Sequence, residues 1–344
     1  MKNFRKTILV CMVILFFSAS PVFSQNSLDS LRENVDKFTD SVAQAMPFYS
    51  TMGLNWSDAY IGQIIDLPPN FGIGISAGAT TMNFASVNDL MRMFRVELPI
   101  SGGISSLGLP LPGYTVEGRI GGIVLPFDIG VKFSYIQPDA FGSVVGLMAR
   151  RPNFEMKHTL IGADIRYALL HYKVLPVRLS VGAGFNYLDG GITATVSAPL
   201  AFSFTDSNDH YYTLNSTESQ LGVEWKTKTL EFKTQFSFPL KIITPYAGVG
   251  VSYAWSQAGY RVKTSQLTVS GGELSDFEKY LLDEFKLSSV SETGFETIKK
   301  FTSFNSRVFG GFSFNFAVVR LDLTTMYDLV GNNLGATLGL RFQL

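Results

Sequence analysis

From Leu334 to Leu344 the chain alternates. Leu334, Ala336, Leu338, Leu340, Phe342 and Leu344 are apolar, and Gly335, Thr337, Gly339, Arg341 and Gln343 between them are small or polar. A period of two places successive side chains on opposite faces of a β-strand. The same alternation returns along the chain. Ile73, Ile75, Ala77 and Ala79 oppose Gly72, Gly74, Ser76 and Gly78, and Val116, Ile120 and Val124 oppose Glu117, Arg119 and Gly121. Phe127 to Tyr135, Ile161 to Leu169, Leu179 to Tyr187, Leu230 to Phe238, Val249 to Trp255, Val308 to Phe314 and Val319 to Leu323 repeat it, which makes about ten strands in all. A soluble sandwich also builds such strands, so the pattern alone leaves that alternative open.

The connections alternate in length. Those near Pro126, Lys173, Lys241 and Ala317 are short, whereas those near 82–113, 137–156, 196–220 and 270–302 are long. Short turns at one end and long loops at the other mark an up-and-down barrel of the outer-membrane kind, in which the turns are periplasmic. The expectation is an all-β, transmembrane, antiparallel barrel over residues 71–344. Short helices are expected in its outer loops, where Ser86 with Asp89, Ser275 with Glu278 and Thr293 with Glu296 read as capping boxes. Such helices would act as lids or shield loop ends.

Before the strands, Leu28, Leu31, Val35, Phe38, Val42 and Ala45 recur every three or four residues, which predicts an amphipathic helix ended by Pro47. Residues 47–70 mix aromatics with Gly and Pro and show no period. Residues 26–70 are therefore expected as a periplasmic helix followed by either a plug or a structured lead-in. Residues 1–25 read as a signal peptide for the general secretory route: Lys2, Arg5 and Lys6, an apolar run from Ile8 to Phe17, then small residues.

Composition agrees with strands rather than membrane helices. Apolar residues make up 46% of the chain, with a mean hydropathy of +0.18, but no later run reaches the roughly 18 apolar residues a spanning helix needs. Removing Lys2, Arg5 and Lys6 takes the 28 bases to 25 against 28 acids, a net charge of −3, which argues against a nucleic-acid partner. The single cysteine, Cys11, lies in the leader, so disulfides and thiolate metal sites are excluded from the mature chain.

If the apolar face of each strand meets lipid, the alternating residues line the lumen. These are Glu117, Arg119, Asp128, Lys132, Asp164, Arg166, Arg178, Glu231, Lys233, Arg307, Arg320, Asp322 and Arg341, five acids and eight bases. They form either an ion-pair network filling a narrow interior or the selectivity field of an anion-preferring pore. The many inward glycines favour open space or a bound plug over a solid core. Aromatics such as Phe127, Phe236, Tyr246 and Phe342 near one rim, with Tyr135, Tyr187, Tyr253 and Trp255 near the other, suit interfacial girdles. The histidines, His158, His171 and His210, form no recognisable spacing, and no catalytic, cofactor or metal residue is assigned.

The carboxyl end LGLRFQL resembles the terminal strand of bacterial outer-membrane barrel proteins, in which a lipid-facing aromatic near the end is part of the assembly signal. Leu338, Leu340, Phe342 and Leu344 take those positions, with Leu344 where the pattern has a final Phe. The resemblance implies residence in the bacterial outer membrane, contact with its lipid, and handling by periplasmic chaperones and the barrel-assembly machinery. The lead-in is similar in outline to the hatch of fatty-acid transport barrels. Two functions are expected: a narrow channel or uptake barrel for small or apolar solutes, or a sealed, adhesin-like barrel working through its outer loops.

Overall fold

The structure, a computed structural model, describes residues 25–61, 70–82, 108–121, 126–136, 154–171, 177–196, 200–205, 211–216, 219–264, 267–270, 289–291 and 294–344. One helix, α1 (Gln25–Ser50), precedes fourteen strands. They are β1 (Phe71–Met82), β2 (Leu109–Gly121), β3 (Phe127–Ile136), β4 (Phe154–His171), β5 (Arg178–Val196), β6 (Leu200–Thr205) and β7 (Tyr211–Ser216). β8 (Ser219–Ser237), β9 (Ile243–Thr264), β10 (Leu267–Ser270), β11 (Ser289–Ser291), β12 (Gly294–Phe316), β13 (Val319–Asp328) and β14 (Leu334–Gln343) complete the set.

Ten strands, β1 to β5, β8, β9 and β12 to β14, pair antiparallel in a ring that β12 closes against β9. The terminal strand lies between the first and its predecessor, with Phe342 opposite both Ile73 and Val319. Closure removes every edge from the membrane-spanning part, so each backbone group there finds a partner without water. β6, β7 and β10 form a separate small sheet in the long connections, and β11 adds to the far end of β12.

The alternation becomes a wall with two surfaces. Ile73, Val131, Phe232, Val249 and Phe342 stand outward, each more than half exposed. Their neighbours in sequence face the lumen and are buried or half-buried. A continuous apolar exterior of this extent is unstable in water and stable in lipid. Among the described residues no helix is long and apolar enough to cross a membrane, so the strands do the crossing. The chain is a closed ten-strand antiparallel β-barrel with an apolar outer surface.

Four differences from the sequence reading have physical causes. β12 runs for 23 residues and β9 for 22, about twice what a spanning strand needs. The residues read as loops near 196–220 and 270–302 are therefore strand in part. Apart from Ile298, their outward positions there, such as Glu296, Lys300 and Thr302, are polar, so the apolar alternation stops although the ladder continues. For the same reason Thr293 and Glu296 open no helix: Gly294–Lys300 pairs with β9, and the ladder outweighs a local capping signal. Tyr246 belongs to no girdle, since it points inward and is 4% exposed. Finally, α1 passes Pro47 by one turn and ends at Ser50, where Ser50 Oγ donates to the Pro47 carbonyl at 2.7 Å and Thr51 Oγ1 to that of Phe48 at 2.7 Å. The other capping-box segments, at 86–94 and 275–287, lie outside the described residues, as does the leader.

The position of α1 also departs from the expected periplasmic helix. Residues 57–61 sit at the short-turn end, beside Ser180, Ser237 and Asp128. The helix itself climbs the lumen from there. Asp36 and Asp40 pair with Lys299, which is opposite Ala258 near the long-connection end. A helix of 26 residues spans about 39 Å at 1.5 Å per residue, enough to cross the barrel from mouth to mouth.

Candidate functional site

The site is the lumen and the segment inside it. Val42, Ala43, Ala45, Met46, Phe48 and Tyr49 on α1, and Met52, Leu54, Trp56, Ala59, Tyr60 and Ile61 beyond it, are each at most 3% exposed. The irregular stretch 51–61 carries backbone donors and acceptors that no helix or ladder satisfies. Burying them unpaired would cost about 1–3 kcal/mol each, so the wall has to supply partners.

It does so with the charged residues of alternating parity. Glu117 accepts from Leu54 N–H at 2.9 Å and from Trp56 Nε1–H at 2.7 Å, and its other oxygen accepts from the Thr115 and Ser76 hydroxyls. Lys132 donates to the carbonyls of Ser50 and Met52, and Lys233 donates to that of Leu54 at 3.3 Å while pairing with Asp164 at 2.8 Å. Arg307 bridges Glu231 at 2.6 Å and Asn55 Oδ1 at 3.1 Å. Uncharged residues fill the gaps: Gln235 donates to the Trp56 carbonyl at 2.7 Å, and Tyr246 to that of Asn55 at 3.1 Å.

At the short-turn end two carboxylates organise the remainder. Asp128 accepts from Ile61 N–H at 2.6 Å and pairs with Arg166 at 2.9 Å and with Arg119, which also holds Asp164 at 2.7 Å. Asp58 faces Arg341 at 3.0 Å, Arg320 at 2.9 Å and Arg178 at 3.2 Å, and its carbonyl accepts from Arg166 at 2.7 Å. Arg341 pairs in turn with Asp322 at 2.7 Å. Burial by itself pushes the Asp58 carboxyl up. Arg341, Arg320, Arg178 and Arg166 outweigh that and hold it below the ordinary carboxylate range.

All thirteen alternating charges are thus in the lumen, and the structure brings them together through the inserted segment. Their surplus of bases has a local explanation. Asp58 is a sixth acid, and three plug carbonyls take the two lysines. Nothing in the strand alternation points to Asp58 or Trp56, because 47–70 has no period. Their one sequence signal is that Asp58 is the sole acid between Pro47 and Ile65.

Inward glycines make room for the bulky plug residues. A Cβ on Gly72 would lie 2.8 Å from the Trp56 ring, and one on Gly113 would overlap Met52 and Tyr49. The Arg341 guanidinium lies over the indole, 4.7 Å from its centroid. A void of about 20 Å³ beside Trp56, Glu117 and Thr337 has room for about one water.

His158 is 1% exposed and meets the Tyr49 ring edge-on with centroids 5.6 Å apart. His210 and the His171 side chain lie outside the described residues. Among the described residues no group of His, Cys, Asp or Glu is placed to hold a metal ion.

Leu338, Leu340, Phe342 and Leu344 lie on the lipid face of the closing strand and its end.

No family model and no curated protein matches the chain. Several solved structures align over most of its length at low identity. The outer membrane protease OmpT from Escherichia coli is 12% identical, with a TM-score of 0.40 over 84% of this chain and 100% of that one. The translocator domain of autotransporter NalP from Neisseria meningitidis is 9% identical, with 0.32 over 90% and 99%. Ail, the attachment invasion locus protein of Yersinia pestis, is 8% identical, with 0.25 over 80% and 99%.

Proposed function

We propose that this barrel is a sealed outer-membrane anchor that works through what it presents at the cell surface, rather than an open channel. The observation that carries this reading is the saturation of the lumen. From Ala45 to Ile61 the inserted chain is buried, and many of its polar groups are tied to the charges that would otherwise line a pore. A solute cannot pass without displacing Trp56, Tyr49 and the Asp58 cluster together. The long-connection end faces outward in barrels of this class, and there the chain presents the small sheet of β6, β7 and β10, the extensions of β9 and β12, and the amino-terminal half of α1.

Planar-bilayer recording of the purified full-length protein tests the reading. The expected result is no sustained conductance, with steady current steps appearing after deletion of residues 25–61. A stable open conductance in the intact protein overturns it and restores the channel.

A further inference from the structure

On the outer surface of the wall, toward the long-connection end, the outward residues change character within two steps along the strands. Phe185, Leu230, Tyr253 and Phe304 form one outward row across four neighbouring strands, all well exposed. The next row holds Tyr187, Lys228 and Trp255, and the one after it Asp189, Lys226, Gln257 and Lys300. A change from apolar to charged outward side chains over this distance matches the step from lipid tails to headgroups at a bilayer surface.

The charges there are not evenly matched. Lys157 pairs with Asp189 at 3.3 Å, and Arg261 pairs with both Glu224 and Glu296 at 2.9 Å. Lys226, Lys228 and Lys300 are exposed and, among the described residues, make no ion pair. Lys226 is opposite Gln257, which is opposite Lys300. Strand spacing puts the two lysine backbones about 10 Å apart, with Lys228 about 7 Å along the strand from Lys226. Three flexible ammonium groups on that triangle can converge on one multiply charged oxyanion. Beside them a groove of about 210 Å³ opens on the wall around Gly259, lined by Lys157 and Arg261 with their partner acids Asp189, Glu224 and Glu296, and by Lys226. Gly259 leaves the groove without a side chain at its middle.

We infer that this face is a binding site for a phosphorylated glycolipid of the outer leaflet. The lysine triangle takes a headgroup phosphate, the groove takes part of the sugar, and the row from Phe185 to Phe304 takes acyl chains. Charge complementarity selects the occupant: three exposed cations with no ion pair among the described residues, directly above an apolar wall, match a lipid whose anionic head is attached to its tails. A soluble anion has no use for the apolar row. The site is on the outer wall and does not depend on whether the lumen conducts.

Native mass spectrometry of the purified full-length protein, titrated with bis-phosphorylated lipid A, provides the test. Each lysine near an anionic lipid surface contributes about fivefold in affinity, so K226Q/K228Q/K300Q should bind about 100-fold more weakly. The corresponding triple Arg variant should retain binding, and K241Q at the short-turn end should change nothing. Heat-dependent gel mobility confirms that each variant is folded. Dephosphorylated lipid A should bind as weakly to the wild type as the phosphorylated form binds to the triple Gln variant. Equal binding by wild type and triple Gln variant overturns the site. So does equal affinity for the dephosphorylated lipid. Lysine-dependent binding of inorganic phosphate as tight as that of the lipid overturns the lipid assignment.

Discussion

Removing the Asp58 carboxylate tests how the inserted segment is held. Asp58→Ala leaves three guanidiniums without their shared acid. The Arg178 and Arg320 side chains are 33% and 20% exposed, so water recovers much of their loss and each contributes about 0.5 kcal/mol. Arg341 is 2% exposed, and breaking a fully buried pair costs about 3–5 kcal/mol. Arg341 keeps Asp322, which lowers its share to about 2 kcal/mol. The sum is about 3 kcal/mol, or roughly a 150-fold increase in the population with residues 57–61 displaced. A cysteine replacing Ala59, which is 0% exposed, reports this in a background where Cys11 is changed to Ser. Its maleimide labelling should accelerate about 100-fold in Asp58→Ala, with heat-dependent gel mobility showing that the barrel stays closed. Labelling within twofold of the parent would refute the view that this cluster holds the plug.

The same reporter should respond to pH with a defined sign. The Asp58 carboxyl is held below its ordinary value of 3.8, so its contribution is complete above that value and is lost as pH falls further, toward the depressed one. Labelling in wild type, divided at each pH by that of a free model thiol to remove the thiol's own titration, should therefore be flat from pH 7 to about 4 and rise only below it. Gly72→Leu forces a side chain into the Trp56 ring and should raise labelling at Ala59→Cys by tenfold or more, with a fall in Trp fluorescence anisotropy as a second readout. Lys299→Gln removes two partly exposed pairs to Asp36 and Asp40; it should cost less than about 1 kcal/mol and, unlike Asp58→Ala, its effect should vanish in high salt. Phe342→Ala, on the lipid face of the closing strand, should leave the lumen contacts untouched and reduce the yield of folded barrel in the membrane fraction several-fold. Unchanged yield would remove Phe342 from the proposed assembly signal.

What the sequence determined by itself is the wall. Alternation at Leu334–Leu344 and in nine earlier stretches specifies which side chains meet lipid and which meet the lumen, because a strand has only two faces and a one-residue slip would invert them all. The ten-strand count, the closed antiparallel sheet and the outward row ending at Phe342 follow from that periodicity. The extensions of β8, β9 and β12 were not legible, since Lys226, Gln257 and Lys300 are exposed and break the apolar rhythm while the ladder continues beneath them. The contents of the barrel were decided only in three dimensions. Residues 51–61 have no repeat to read, and their conformation is set by partners such as Glu117 and Arg341, which lie 63 and 283 positions away along the chain. The direction of α1 is likewise a tertiary fact. Its amphipathic spacing fits any apolar surface, and only the fit of Tyr49, Met52 and Trp56 against inward glycines, with Asp58 among the arginines, selects the inside of the barrel.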